Sequence, residues 1–414
     1  MRATAYLKIL LSPWRYNDPL PLKQLGQRLH LLYGDSPDQS WYLTANGRSA
    51  LELFLRSLNS DSEGEVIVQS FTCVAAVNPI LWAGLKPVFV DIDMANLSLS
   101  LKSLEAAISP RTKAIVVQHS FGIPGPIEAV TKLAHNKDIL VIEDCAHALG
   151  LPMSGPKLGT YGDAAIISFG IEKTLSTKFG GALVVNNPEL APAIETAYEA
   201  LPKLGRLESF RWLIYPVLRV GLRKLPVSLS RKTGRLLELL GILRQAVAPA
   251  EYEGGRPPGT PAKLPGVHAR IILEAMTDLD QNLAHRTRIG QVYREALADN
   301  PALQLPPTEA EGLIKYPVIC ASEELRDRLY KGLLDKGVPV SNWYDPPIYP
   351  QGVDLERLGY RSPNYPEAEA TAKRIICLPT GNNIRVDYAT VMANDLSTAA
   401  TDLQGRTKRV SRSS

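Results

Sequence analysis

The chain has no uninterrupted apolar run approaching the roughly 20 residues a membrane-spanning helix needs, so it is not expected to cross a membrane. It has almost no net charge: 46 Lys and Arg against 42 Asp and Glu give +4 over 414 residues, which makes no case for nucleic acid. Its four cysteines, Cys73, Cys145, Cys320 and Cys377, are scattered, with no C-x-x-C pair. That argues against a disulfide framework or a cysteine zinc site and suits reduced thiols in a cytoplasmic protein. The opening MRATAYLKILLSPW is broken by Lys8 and by Pro13-Trp14, so no secretion signal is expected. There is no G-x-G-x-x-G between a strand and a helix and no G-x-x-x-x-G-K-[ST], which removes the two commonest phosphate loops. No internal repeat is found.

What is present is globular: 45% apolar and 21% charged, with enough length for two domains. From Glu65 onward, EVIVQS, KPVFVDID, KAIVVQHS, ILVIED, DAAIISF and GALVVNN are short, β-branched, nearly continuous apolar runs, as in strands covered on both faces. Helix-period segments at 72–82, 101–108 and 127–134 separate the early ones. The alternation predicts an α/β domain with a mostly parallel central sheet flanked by helices. Ligands gather at the carboxyl ends of such strands, and Ser70, His119, Asp144 and Ser168 fall there. Ahead of the sheet, Asn46-Gly47 is a turn signal, and a helix starts near Arg48. Gly, Arg and Ser at a helix start can cradle a phosphate or can simply cap a surface helix.

Residues 203–247 change character. Ten basic side chains face two acidic ones, a local +8 that leaves the rest of the chain at −4. Two amphipathic helices, with Pro216 as a kink, can lie in a membrane interface, pack on the parent domain or serve a dimer. The Pro/Gly-rich stretch 251–266 marks a break. A long helix over 268–297, strand YPVIC, helices at 323–336 and 367–374 and strand IICLPT then predict a smaller C-terminal α/β domain. The expected division is 1–265, 266–403 and a disordered basic tail at 404–414.

The chemistry concentrates between Ile139 and Asn186. Asp144 closes a buried strand, Ser168 closes the next, and Lys173 follows in a loop among Phe169, Ile171 and Leu175, ahead of Gly180-Gly181. A lysine that attacks carbonyls must lose its proton, and apolar surroundings favour that. A buried aspartate needs a partner, either backbone amides or the protonated ring nitrogen of pyridoxal phosphate. Taken singly, Lys173 is equally a solvated loop lysine and Asp144 a structural acid.

Together, VIVQSFTCVAAVNPILWAGLKPVFVDID, VIEDCAHALG, SFGIEKTLSTKFGGALVV and RTRIGQVYREAL resemble the DegT/DnrJ/EryC1/StrS family of pyridoxal phosphate-dependent sugar aminotransferases, of fold type I. The resemblance implies that Lys173 holds the cofactor as a Schiff base and that Asp144 pairs with its pyridine nitrogen. It places His147 against the ring or its phenolic oxygen. Ser168, Arg48 and Ser49 fall at the phosphate. Cys73 stands where relatives often have a stacking aromatic residue. Gly259 to Lys263 stands for a segment that reaches the neighbouring subunit's phosphate, with Lys263 able to offer a charge. Trp343-Tyr344-Asp345 matches the family's His-Tyr-Pro segment. The implied activity moves an amino group from an amino acid, glutamate by expectation, onto a keto-sugar nucleotide, in a homodimer with shared sites. Two alternatives stay open: a sugar dehydratase, whose members replace the lysine with histidine, and a family member that has lost catalysis and acts as a regulatory or membrane-associated protein.

Overall fold

The computed structural model describes residues 3–12, 16–34, 36–58, 63–153, 155–307 and 310–410. Seven strands form the main sheet: β1 (Ser40–Thr44), β2 (Glu65–Gln69), β3 (Lys86–Val90), β4 (Thr112–Gln118), β5 (Leu140–Asp144), β6 (Ala164–Ser168) and β7 (Gly181–Val185). Their spatial order is β1-β7-β6-β5-β4-β2-β3. Strands β6, β5, β4, β2 and β3 run parallel, while β7 is antiparallel to both of its neighbours.

The continuous apolar runs have a direct physical reason. Side chains alternate across a strand, and here both faces are covered. Val66 and Val68 of β2 join one core with Ala114 and Val116 of β4 under the helices Gly47–Ser57 and Val74–Trp82. Ile67, Ile115 and Val117 enter a second core beneath Leu101–Ala107 and Ile127–His135. Towards the other edge, Ala165, Ile167, Ala182 and Val184 meet Leu25 and Leu29 of the helix Leu20–Leu32 and Ala269 and Ile272 of Gly266–Met276.

A smaller antiparallel sheet holds β8 (Leu303–Gln304), β9 (Lys315–Cys320) and β10 (Ile375–Pro379) in that order. The helices Leu279–Leu297, Glu323–Asp335, Pro366–Arg374 and Val386–Val410 complete its core. Three expectations need correction. The helix over 268–297 is two helices, Gly266–Met276 and Leu279–Leu297. At the break the Thr277 hydroxyl donates to the Glu274 carbonyl at 2.7 Å, a local bond that competes with the helical ladder. Gly266–Met276 and Leu279 pack with the large-domain core, and past them the chain next enters the small-domain core at Ile289, so it crosses between the two later than 266. The segment expected to be a disordered tail continues the last helix as far as Val410, and 411–414 lie outside the described residues. Met392, Leu396 and Ala400 anchor that helix in the core, and it carries no proline.

Candidate active site

The carboxyl ends of β4, β5 and β6 open on one cavity of about 500 Å³, within the usual range for a small-molecule site. Arg48, Cys73, Asp144, His147, Ser168 and Lys173 all line it. Ser49 and Lys263 do not. The Ser49 N–H donates to Asn46 Oδ1 at 2.9 Å, and the hydroxyl lies 3.3 Å from the same oxygen, so this serine serves the helix cap. Lys263 pairs with Glu199 at 2.9 Å and lies over the Tyr198 ring, away from its own chain's cavity.

Backbone rather than side chain sets the cradle between Asn46 and Ser168. A Cβ on Gly47 would come within 3.3 Å of the Ser168 Cβ, and one on Gly181 would collide with the Asn46 carbonyl carbon at 2.4 Å. Only glycine at 181 lets β7 run against the start of Gly47–Ser57. Gly180 beside it sits at φ 112°, in the region that favours glycine. The result is a helix N-terminus, with its positive end and N–H groups, facing the Ser168 hydroxyl.

Arg48 reaches the cavity wall, but its guanidinium is held by Glu251, at 2.6 Å to Oε1. Glu251 is fully buried and also accepts the Ala248 N–H at 2.7 Å. This pairing was not foreseen, because the two residues lie 203 positions apart.

Asp144 and Glu143 point to opposite sides of β5. Glu143 accepts the N–H groups of Gly159, Tyr161 and Gly162, each at 2.8 Å, and lies 3.0 Å from His119 Nε2. His119 Nδ1 in turn accepts the Gly125 N–H, so both ring nitrogens are engaged. Glu143 thereby fastens the 156–163 loop to β5, and His119, expected near the ligand from its strand-end position, instead links Glu143 to the Gly125 amide. With Cys145 these two could be read as a metal cluster, but the ring nitrogens of His119 and both oxygens of Glu143 are already engaged by protein groups, which suits a structural role. Asp144 faces the cavity, and its Oδ1 accepts the Ala146 N–H at 3.0 Å. Burial raises its carboxyl above the ordinary aspartate range, against the opposing Ala146 N–H and the Lys173 charge.

Lys173 Nζ stands 2.9 Å from His147 Nε2. The Phe121 N–H donates to His147 Nδ1 at 3.2 Å. A neutral imidazole so arranged carries its proton on Nε2, aimed at the lysine, and the nitrogen that receives it must offer a lone pair. The geometry therefore selects the neutral amine. Burial works in the same direction, lowering Lys173 below an ordinary lysine although Asp144 opposes the shift. Burial likewise holds His147 well below the usual imidazole range, helped by Lys173 and Lys315.

Cys73 offers no ring, yet aromatic faces are present. Trp343 stacks on His147 at 5.8 Å and 11°, and Tyr344 lies parallel to Trp343 at 5.9 Å. Both rings and Tyr349 line the cavity from the small domain. Asn46, Gln118, Arg235, Leu239 and Arg244 also line it and were not anticipated. The only sequence signal for the last three was the charge excess of their segment.

A profile of the DegT/DnrJ/EryC1/StrS aminotransferase family matches residues 41–396. The chain belongs to this family. It is a pyridoxal phosphate-dependent aminotransferase. The chain is 28% identical over 358 residues, 84% of its length and 80% of the relative's, to a dTDP-4-dehydro-2,3,6-trideoxy-D-glucose 4-aminotransferase from Saccharopolyspora spinosa. It is 40% identical over 141 residues to a UDP-N-acetyl-3-dehydro-alpha-D-glucosamine 3-aminotransferase from Acidithiobacillus ferrooxidans, covering 34% of this chain and 38% of that one. The putative sugar aminotransferase Spr1654 from Streptococcus pneumoniae, in its PMP form, shares the fold at TM-score 0.76 and 20% identity, over 99% of this chain and 98% of that one. The donor set fits the cofactor: an amine, a buried carboxylate across the cavity, and a helix start with a facing hydroxyl where an anion can sit.

Proposed function

We propose that this aminotransferase moves an amino group from an amino acid, with glutamate as donor, onto a keto-sugar carried by a nucleotide. The observation that carries the reading is the convergence of Lys173, Asp144 and the Gly47/Ser168 cradle on one cavity whose rim adds Arg235 and Arg244. The exposed Arg235 guanidinium suits the diphosphate of a nucleotide sugar, beside Arg244, which Glu208 already holds. The names of the related aminotransferases support the substrate class.

In this reading Lys173 holds the cofactor and afterwards moves the proton between the two carbons that exchange it. Bound there, pyridoxal phosphate supplies an electron-withdrawing ring. Asp144 keeps the ring nitrogen protonated, and its raised pKa reflects a carboxylate buried without a full cationic partner. His147 orients the lysine lone pair and faces the ring beside Trp343, with Cys73 on the cavity wall. Ser168, Gly47 and Arg48 hold the phosphate. Ser49 acts through the cap it forms with Asn46. Lys263, which faces away from its own cavity, reaches the phosphate of the other subunit in a cytoplasmic homodimer. Retention of Lys173 speaks against the dehydratase alternative.

The test is a two-stage half-reaction followed by absorbance. Glutamate should convert the cofactor to its amine form, and a keto-sugar nucleotide should restore it. If glutamate converts the cofactor and no dTDP-, UDP- or GDP-linked keto-sugar restores it, the acceptor class is wrong. If no amino acid converts it, the protein is a binding-only member.

A further inference from the structure

Residues 203–247 form two helices, Arg206–Arg223 and Val227–Leu239, joined by a short turn. One side of the pair is tied to the body. Leu213 packs with Tyr6, Val267 and Ile271, while Ser209 Oγ lies 3.0 Å from His268 Nε2. The other side is open. In the first helix Leu207, Phe210 and Val217 are exposed and fall along one stripe at 100° per residue. In the second, Leu229 and Leu236 do the same, continued by Leu240 at its C-cap. Arg206 and Lys224 flank the first stripe, and Lys232 adjoins the second; all three are exposed.

An uncovered apolar surface of this kind needs an occupant, and charge decides which. Eight of the ten basic side chains in the segment are exposed. Its two acidic side chains are already paired, Glu208 with Arg211 and Arg244, and Glu238 with Arg219. A second copy meeting this same face on a two-fold axis would set Arg206, Lys224 and Lys232 against their own copies, which repels. An anionic lipid surface complements it, taking the leucines into the headgroup boundary and the basic side chains to the phosphates. Among the described residues no helix is long and apolar enough to cross a membrane, so the contact would be peripheral.

We propose that the helix pair 206–239 docks the enzyme on an anionic membrane surface through these leucine stripes and their flanking cations. Because Arg235 and Leu239 of the same helix line the catalytic cavity, docking places its mouth beside the bilayer. The proposal is independent of which acceptor the enzyme uses.

Co-sedimentation of the full-length holoenzyme with vesicles tests it. The expected result is pelleting with phosphatidylcholine vesicles containing about one third phosphatidylglycerol, release by salt, and none with phosphatidylcholine alone. The triple variant R206E/K224E/K232E and the triple variant F210S/L236S/L240S should each bind at least about tenfold more weakly, with the cofactor absorbance and melting temperature kept. No pelleting with the anionic vesicles, or equal pelleting by both variants, overturns the proposal. So does a switch of the serine variant from dimer to monomer, which would make a second copy the occupant.

Discussion

Lys173 Nζ lies 2.9 Å from His147 Nε2, and the Phe121 amide holds the other ring nitrogen of that histidine. Both facts bear on when the lysine is a free amine. Burial is the largest cause that lowers its pKa, and the imidazole proton, aimed at the amine from 2.9 Å, favours the same uncharged form. Cofactor capture by the apoenzyme needs the amine, so its rate should rise with pH through a midpoint below that of an ordinary lysine, about 10.4. In H147L the imidazole donor is gone, so the midpoint should move up and capture at neutral pH should slow by about tenfold. Raising the pH should rescue it. An unmoved midpoint would show that His147 does not orient the lysine.

Asp144→Asn keeps the shape of the strand end and removes the charge. The protein should still bind pyridoxal phosphate, with turnover reduced by about 10² to 10³-fold, the scale on which a site loses a preorganised electrostatic partner. Single-turnover absorbance separates the two steps. Weakened binding with normal turnover of the bound fraction would make Asp144 a structural acid.

The Arg48–Glu251 pair leaves a fully buried carboxylate if the arginine is removed. R48A should cost about 3–5 kcal/mol in denaturant unfolding. R48M/E251L should recover most of that loss, since an apolar pair replaces both charges. Phosphate-ester affinity should remain reduced in both if Arg48 also serves the cofactor.

His268 is buried against Phe179 and near Ser209, and burial pushes its pKa from about 6.5 down to about 3. Between those values the unfolded chain binds the proton and the folded one does not, so stability falls as pH drops through that window. In H268Q the decline should be shallower. A pH–stability curve identical to the parent's would remove His268 as its cause.

Much of this site could be read from residue order, for physical reasons that differ by element. The sheet strands showed themselves because both faces are covered, making runs such as VIVQ and AAIIS continuous. Asp144, Ser168 and Lys173 were legible because strand ends and a glycine-bounded loop follow from local pattern. Ser49 misled: at a helix start its hydroxyl can face a ligand or cap the helix, and only the position of Asn46 decides. The break at Thr277 carries no glycine or proline, and the side-chain bonds of Thr277 to Glu274 and Asp278 leave no mark on the apolar pattern. The Arg48–Glu251 pair and the helices over the cavity are long-range contacts. No local periodicity encodes them.

The most direct measurement is the visible absorption of the purified protein reconstituted with pyridoxal phosphate, compared with Lys173→Ala. The account expects a cofactor band in the parent that borohydride fixes to the chain, absent from the variant, with aminotransferase activity reduced by at least about 10³-fold. A variant that keeps the same band and the same borohydride-fixed label would contradict the assignment of Lys173.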